Sequence, residues 1–192
     1  MARVLLIHAG IIPHYRIPVY NYLSVYLKRI GYHLSVISDG IQAESPDAVD
    51  FEYEQLKLSS KSIARYIWIN EINIIIDYME LRHAYLFPTY LIAKVVLRRK
   101  MIYWGQGRDL LDPKSLVKNL AYGLEQVMSS AIILYAEHLK KYIPRYLHHK
   151  TFIANNTLAI SYQGLPPGET KVDILNRFGV RTRKNIVCIG RI

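Results

Sequence analysis

Ile72-Asn73-Ile74-Ile75-Ile76 is the stretch that decides the fold. A short, nearly continuous run of β-branched apolar residues is typical of a strand that is buried on both faces of a parallel sheet. Such a strand needs other strands beside it and helices above and below it. Short apolar runs on either side of it alternate with helical segments. We therefore expect an α/β fold with an open, mainly parallel sheet and helices on both faces.

The remaining elements follow from the same alternation of short apolar runs and helical segments. The predicted strands cover residues 4–7, 34–37, 72–76, 101–104, 132–135 and 151–153, with an edge strand at 51–56. The predicted helices cover residues 18–30, 61–71, 85–99, 115–128 and 137–142. Pro18 suits the first turn of its helix, and Gly31 suits its exit. Ser38-Asp39-Gly40 predicts a turn that ends the second strand.

The last part of the chain predicts a domain boundary. Residues 163–168 have the proline and glycine density of a linker, and residues 171–178 form a helix candidate. The terminal run from Ile186 has the apolar pattern of another buried strand. We therefore expect a first domain at 1–157, a linker and helix at 158–185, and the first strand of a second domain at 186–192.

Composition limits where the protein works. Of its 192 residues, 51% are hydrophobic, yet no stretch approaches the roughly 18 to 20 apolar residues that a spanning helix needs. The apolar run at residues 4–7 lacks a cleavage site and predicts a first strand rather than a signal peptide. The single cysteine, Cys188, fits a reducing cytoplasm. We expect a cytoplasmic protein.

The strong positive charge indicates an anionic partner. The net charge is +10, and sixteen tyrosines accompany the 25 lysines and arginines. Basic and aromatic or aliphatic residues are interleaved at 26–29, 96–100 and 140–150. This mixture favours an anionic membrane surface, with the protein peripheral at the inner face of the membrane. It would also suit nucleic acid, but no helix-turn-helix, RNP or zinc pattern supports that partner, so we expect none.

Several cofactor motifs fail when tested directly. Gly105-Gln106-Gly107 begins a dinucleotide fingerprint, but residue 110 is leucine where the third glycine is required. A Walker A loop, a metalloprotease H-E-x-x-H pattern and a serine-hydrolase elbow are absent from the sequence. We therefore expect no metal and no cofactor.

Ligands of open α/β sheets bind outside the carboxyl ends of the strands, which gives a set of candidate residues without any motif. The polar residues that follow the predicted strands are Gly10, His14, Tyr15, Arg16, Glu80, Arg82, Gln106, Arg108, Asp109, Glu137, His138, Asn155 and Asn156.

Four segments together resemble the retaining GT-B glycosyltransferases of glycosyltransferase family 4, which use nucleotide sugars. The segments are His14–Tyr20, Ile102–Gly107, Ala154–Leu158 and Val187–Ile192. Members of that family have two Rossmann-like domains, of which the N-terminal one binds the acceptor and the C-terminal one the nucleotide sugar. The resemblance implies that this chain is the N-terminal half of a GT-B fold, with only the start of the donor domain.

The resemblance also implies roles for individual residues. The acceptor-binding residues would be His14, Tyr15, Arg16, Trp104, Gln106, Arg108 and Glu137. Arg191 would contact the donor diphosphate, which suits a permanently charged guanidinium. Relatives often have histidine where this chain has Gln106, and an amide cannot exchange a proton near neutral pH. The catalytic residues stay unassigned, and the nucleotide sugar is a substrate rather than a cofactor.

These implications predict a hexosyltransferase-type enzyme that transfers a sugar from a nucleotide sugar to a lipid-linked or polysaccharide acceptor in cell-surface glycan synthesis. Because the donor domain is nearly absent from the sequence, we expect the chain to be inactive alone. The alternative is a non-catalytic basic α/β module that binds a membrane surface or nucleic acid.

Overall fold

The computed structural model describes residues 1–42, 48–78, 85–109, 112 and 114–154. Seven strands form one sheet in the order β3-β2-β1-β4-β5-β6-β7, and every pair of neighbours is parallel. The strands are β1 (Ala2–Ile12), β2 (Tyr32–Ile41), β3 (Glu52–Gln55), β4 (Ile74–Tyr78), β5 (Lys100–Gly105), β6 (Ala131–Leu134) and β7 (Thr151–Ile153). The predicted Rossmann-like α/β fold is therefore confirmed.

Four α-helices cover the two faces of the sheet in this part of the chain. They are α1 (Ile17–Arg29), α2 (Ser60–Ile69), α3 (Phe87–Val95) and α4 (Leu116–Met128). Helix α1 packs Ile17 and Tyr20 on one face, and α2 and α3 pack on the other. Short 3₁₀ turns occupy His14–Arg16, Glu137–Tyr142 and Arg145–Lys150. None of the helices that the structure describes could cross a membrane.

Most predicted elements lie within a few residues of the observed ones, because the spacing of apolar residues and the helix-capping residues identify them well. Serines cap two of the helices: Ser59 Oγ accepts from Ser62 N–H at 3.1 Å and Ser115 Oγ accepts from Lys118 N–H at 3.4 Å. Residues 145–150, for which the sequence predicts no helix or strand, form a 3₁₀ turn.

One predicted turn was wrong. Ser38-Asp39-Gly40 does not end β2, which continues to Ile41. Ser38 Oγ accepts from the Gly40 N–H at 3.1 Å and donates to the Gly40 carbonyl at 2.7 Å, so the polar segment is satisfied inside the strand. Across from it, Ala9 and Gly10 of β1 form a bulge opposite Asp39, and Gly10 takes a φ of 80°. Strands β1 and β2 therefore extend together beyond the predicted turn.

The third helix is shorter than its sequence predicted. It ends at Val95 rather than near residue 99, because Arg98 adopts a left-handed φ of 53°. The Arg99 N–H then donates to the carbonyl of Ala93 at 3.0 Å. This ending turns the chain sharply into β5.

A buried pair of carboxyl groups lies between the sheet and its helices. Asp77 is on β4, and Glu125 projects from α4 with 1% of its surface exposed. The hydroxyl of Tyr90 on α3 donates to Asp77 Oδ1 at 3.2 Å. Burial, and then the charge of Asp77, raises the pKa of Glu125 well above its usual value. The Glu125 oxygens accept no hydrogen bond, so we infer that Glu125 is protonated and donates to Asp77.

We predict that Glu125→Gln removes a pH-dependent loss of stability. A raised native pKa means that the folded state retains its proton above the unfolded pKa of 4.5, so wild-type stability falls as the pH rises through this window. The glutamine keeps the donated hydrogen bond without titrating. Its free energy of unfolding should exceed that of wild type by an amount that grows above pH 4.5, at most about 1.4 kcal/mol per pH unit.

Urea denaturation at pH values on both sides of 4.5 measures the difference, and Glu52→Gln is a control of opposite sign whose pH dependence lies below 4.5. The Ser35 hydroxyl, and then His33, lower the pKa of Glu52 despite its partial burial. Wild type gains stability from Glu52 as the pH rises toward 4.5. The free energy of unfolding of the control variant should therefore fall relative to that of wild type up to this pH, and the difference should stay constant above it. A Glu125→Gln difference that stays constant with pH would show that Glu125 is ionised in the folded protein.

Candidate functional site

The carboxyl ends of all seven parallel strands lie at one edge of the sheet, and most of the predicted site residues that the structure describes lie there. After the bulge in β1, Pro13 ends the strand and His14–Arg16 form a single 3₁₀ turn. The His14 ring nitrogen Nδ1 lies 3.3 Å from Gln42 Oε1, just beyond β2. This contact attaches the turn to the neighbouring strand end.

Arg16 connects the turn after β1 with the end of β6. Its Cζ atom lies 5.5 Å from the ring centroid of Tyr15 and 5.5 Å from that of Tyr135. Tyr135 immediately follows β6, so one guanidinium contacts aromatic rings from two strand ends that two other strands separate. Tyr15 is exposed, which leaves a ring and a cation accessible at this edge.

Trp104 supports this edge from within. It is 8% exposed and belongs to the apolar cluster that includes Ile12, Ile17 and Tyr20. Tyr135 packs against the same cluster. In this position the Trp104 ring stabilises the residues around Arg16, and its predicted contact with an acceptor stays a prediction.

The side chain of Tyr103 accounts for the glycine at position 105 and for the position of the Gly107 backbone. A Cβ atom at Gly105 would lie 2.5 Å from the Tyr103 hydroxyl, so a larger residue would displace the ring. That hydroxyl accepts a 2.9 Å hydrogen bond from the Gly107 N–H. Gly107 itself has a φ of 83°, which favours glycine. The two glycines therefore serve loop geometry, and the failed dinucleotide fingerprint is consistent with this role.

One further hydrogen bond fixes the loop. The Gln126 side-chain amide donates to the Gly107 carbonyl at 2.6 Å, so both polar backbone groups of Gly107 are held by side chains. Gln106, between the two glycines, is exposed at the sheet edge. The backbone is thus fixed while the side chain of Gln106 can contact a ligand.

A cationic pocket lies beside this loop. Arg108 Cζ is 4.5 Å from the ring centroid of Tyr142, and Lys141 Nζ is 5.0 Å from the same centroid. Both cations line a cavity of about 320 Å³ together with Asn119 and Gln126. Arg108 and Lys141 are the charged residues among the described lining, so the pocket would favour an anionic group.

The acidic residues near this edge contact lysines. Asp109 Oδ2 lies 3.0 Å from Lys118 Nζ, which also lies 3.2 Å from Asp112 Oδ2. Glu137 begins the 3₁₀ turn after β6, is largely exposed and lies 4.0 Å from Lys140 Nζ. The predicted acceptor role of Glu137 is compatible with this exposure and stays a prediction.

Other predicted residues lie outside the described part of the chain. These are Glu80, Arg82, Asn155, Asn156 and the donor residue Arg191, together with the segments 158–185 and 186–192. Their roles and the proposed domain boundary stay predictions. Within the described ranges, no three His, Cys, Asp or Glu side chains are grouped as metal ligands.

Sequence reasoning missed several residues that shape the site. Tyr135 and Tyr142 each contact a predicted arginine, but tyrosines are so frequent in this chain that neither attracts notice. Asp77 and Glu125 left a clearer signal: Asp77 directly follows a run of isoleucines, and Glu125 is the only acidic residue of α4. A carboxylate in a buried strand is costly unless it has a partner, so the position of Asp77 predicts a buried polar partner.

Comparison with known proteins gives no match in sequence and several in structure. No protein-family model and no curated protein matches this sequence. A glycosyltransferase from Rickettsia africae has a TM-score of 0.60 and 14% identity, over 95% of this chain and 50% of that chain. Anabaena HepE with bound UDP-glucose has a TM-score of 0.63 and 13% identity, over 93% of this chain and 50% of that chain.

A third solved structure, MurG of Acinetobacter baumannii, has a TM-score of 0.50 and 11% identity, over 86% of this chain and 48% of that chain. Identities this low establish the fold alone. The chain spans about half the length of these glycosyltransferases. The resemblance to GT-B glycosyltransferases is therefore confirmed at the level of the fold.

We predict that Tyr103→Phe loosens the loop without disturbing the core. The substitution leaves the buried Gly107 N–H without its acceptor, which should lower the free energy of unfolding by about 1 to 3 kcal/mol. Amide hydrogen exchange at Gly107 should accelerate. Tyr22→Phe is the matched control, because Tyr22 is 74% exposed on α1 and its loss of a hydroxyl should change neither quantity. Unchanged exchange at Gly107 in Tyr103→Phe would contradict this account.

Proposed function

We propose that the protein is the acceptor-side part of a hexosyltransferase-type glycosyltransferase that uses a nucleotide-sugar donor. The observation that carries the proposal is the arrangement at the carboxyl edge, where Arg16 contacts Tyr15 and Tyr135 and Arg108 contacts Tyr142. The fold shared with solved glycosyltransferases supports it. Among these, HepE was solved with UDP-glucose, which makes a uridine-diphosphate sugar the first donor to test.

The chemistry of this edge suits a glycan acceptor with an anionic group. Aromatic rings such as Tyr15 offer apolar faces against which the C–H faces of a sugar pack. A guanidinium forms paired hydrogen bonds with a phosphate or carboxylate. Arg16 and Arg108 lie at different strand ends, so one could bind a charged group while the other positions the sugar. We propose a lipid-linked or polysaccharide acceptor in cell-surface glycan synthesis.

In this proposal the edge positions the acceptor and does not itself exchange protons. Gln106 is exposed between two fixed glycines and can orient an acceptor hydroxyl through its amide. His14, at the neighbouring strand end, contacts Gln42 and completes the acceptor side. Arg191 would contact the donor diphosphate. The proposal includes no metal and no cofactor.

Acceptor binding tests this proposal directly. We expect the 192-residue chain to bind a polyprenyl diphosphate-linked sugar in detergent, measured by calorimetry. Arg16→Ala and Arg108→Ala should each weaken binding about tenfold or more, because each removes a charged contact. Arg29→Ala is the control, since Arg29 is an exposed residue at the far end of α1. Equal affinity in all four proteins would contradict an acceptor site at this edge.

We predict that the purified chain alone transfers no sugar, because the donor-binding residues are expected in a second domain. The measurement is product formation from UDP-glucose and the same acceptor, followed by mass spectrometry. Detectable turnover would show that the chain contains a complete donor site. Salt-sensitive binding to DNA or RNA, with no binding of the acceptor, would favour the alternative of a basic binding module.

We also propose that the protein works at the inner face of the membrane, as a peripheral protein. The interleaved basic and aromatic residues support an anionic lipid surface as a partner. Flotation with vesicles should show binding to phosphatidylglycerol-containing vesicles and weaker binding to pure phosphatidylcholine. Equal binding to both kinds of vesicle would exclude an electrostatic contribution to membrane binding.

A further inference from the structure

Helix α4 has its polar side turned toward the protein and its apolar side turned outward. Leu116, Val117 and Leu120 are 84%, 80% and 64% exposed. Glu125 and Gln126 on the opposite side are each 1% exposed. A helix on the surface of a soluble domain normally shows the reverse arrangement. The apolar side of α4 therefore lacks a partner among the residues that the structure describes.

The exposed apolar residues of α4 form a continuous stripe. They are Leu116, Val117, Leu120, Leu124 and Val127. At 3.6 residues per turn these positions fall within an arc of about 100°. The inward residues Glu125 and Gln126 lie outside this arc, where they contact the sheet and the Gly107 loop. A stripe this regular is the pattern of a helix that lies against an apolar phase.

Helix α3 extends the same surface. It covers the same face of the sheet, since Tyr90 of α3 and Glu125 of α4 both meet Asp77. Its inward residues include Tyr90 and Ala93. The outward residues of α3 and its end are exposed and apolar: Leu91, Ile92, Val95 and Val96. These nine large apolar side chains lie on the outward sides of two helices that cover the same face of the sheet, and we name them the α3–α4 face.

The charges around the α3–α4 face are mainly positive. Lys150 Nζ donates to the Val127 carbonyl at 3.0 Å, and the pKa of Lys150 is lowered first by burial and then by Lys94. Two cations therefore lie at the carboxyl end of α4. The further cations within α4 or next to the two helices in the sequence are Arg98, Arg99, Lys100, Lys114 and Lys118.

The acidic residues near this face offset only part of this positive charge. No acidic residue occurs in α3, and the one in α4, Glu125, is buried toward the sheet. Asp109 and Asp112 both lie within 3.2 Å of Lys118. The apolar side chains of such a surface can enter the boundary between headgroups and acyl chains of a bilayer. The excess of cations beside them can contact the anionic headgroups.

We propose that the α3–α4 face is the surface by which this protein docks on an anionic lipid bilayer. The inference rests on the proposed membrane association and assigns it to a surface. A second apolar surface, on α1, is the alternative: Tyr22, Val25 and Tyr26 are exposed there. Helix α1, however, keeps its apolar side inward with Ile17 and Tyr20, so it is an ordinary amphipathic helix.

The position of α4 connects this docking surface with the candidate acceptor site. Helix α4 follows β5, so its first residue, Leu116, lies at the carboxyl edge of the sheet near Arg108 and Gln106. Docking through α4 would bring that edge close to the lipid headgroups. An acceptor with a lipid anchor could then stay in the bilayer while its sugar reaches the edge.

Vesicle flotation of matched variants of the 192-residue chain tests the proposal. The test variant carries Leu116→Gln, Leu120→Gln and Leu124→Gln, and the control carries Tyr22→Gln, Val25→Gln and Tyr26→Gln. All six side chains are exposed, so both proteins should fold, which circular dichroism checks. The vesicles contain about one-third phosphatidylglycerol. We expect the α4 variant to bind them at least about tenfold more weakly than wild type does. The α1 variant should bind like wild type.

A fluorescent label gives a second measurement that does not depend on lost binding. In a Cys188→Ser background, Leu120→Cys carries an environment-sensitive dye whose emission should shift to the blue on anionic vesicles. The same dye at Tyr22→Cys should not shift. A shift at position 22 and none at position 120 would overturn the proposal.

The remaining outcomes separate this inference from the proposed function. If the α4 variant binds anionic vesicles as well as wild type does, the assigned surface is wrong, although the protein still associates with membranes. Wild-type protein that binds no anionic vesicle would overturn both, while acceptor binding in detergent would still support glycosyl transfer. Loss of a concentration-dependent dimer in the α4 variant, with vesicle binding unchanged, would make the face a contact between two copies of the chain.

Discussion

The parallel pairing of β4 with β1 and β5 is the constraint on which the structure depends. Ile74–Asp77 pair with Val4–Ile7 on one side, and Ile74–Tyr78 pair with Lys100–Trp104 on the other. Parallel strands need crossovers that cover both faces, so this pairing dictates where the helices lie. It also brings every strand's carboxyl end to a single edge. Arg16 and Tyr135, distant in sequence, meet for that reason.

The fold was largely predictable because burial leaves a strong pattern. The run at 72–76 marks a strand buried on both faces, and serine and proline positions mark helix starts such as those of α1 and α4. The predictions failed where local signals were overridden. Ser38 and Gly40 resemble a turn, but a side-chain hydroxyl and the pairing with Ile11 retain them in the strand.

The candidate site was predictable only in outline. Strand ends identified His14, Tyr15, Arg16, Gln106, Arg108 and Glu137 as edge residues, and the structure places them there. The sequence could not identify their partners, because Arg16 contacts Tyr135 and Arg108 contacts Tyr142 through packing between elements distant in sequence. The sequence also could not show that Trp104 is buried while residues near it in the site are accessible.

The loop at Gly105–Gly107 separates structural positions from replaceable ones. Tyr103 and Gln126 hold the backbone of Gly107, and Gly105 leaves room for the tyrosine ring. Gln106 takes no part in these bonds and is exposed. Residue 106 can therefore change without disturbing the loop around it. The side chain that this edge presents at position 106 can therefore be varied while the flanking glycines stay fixed.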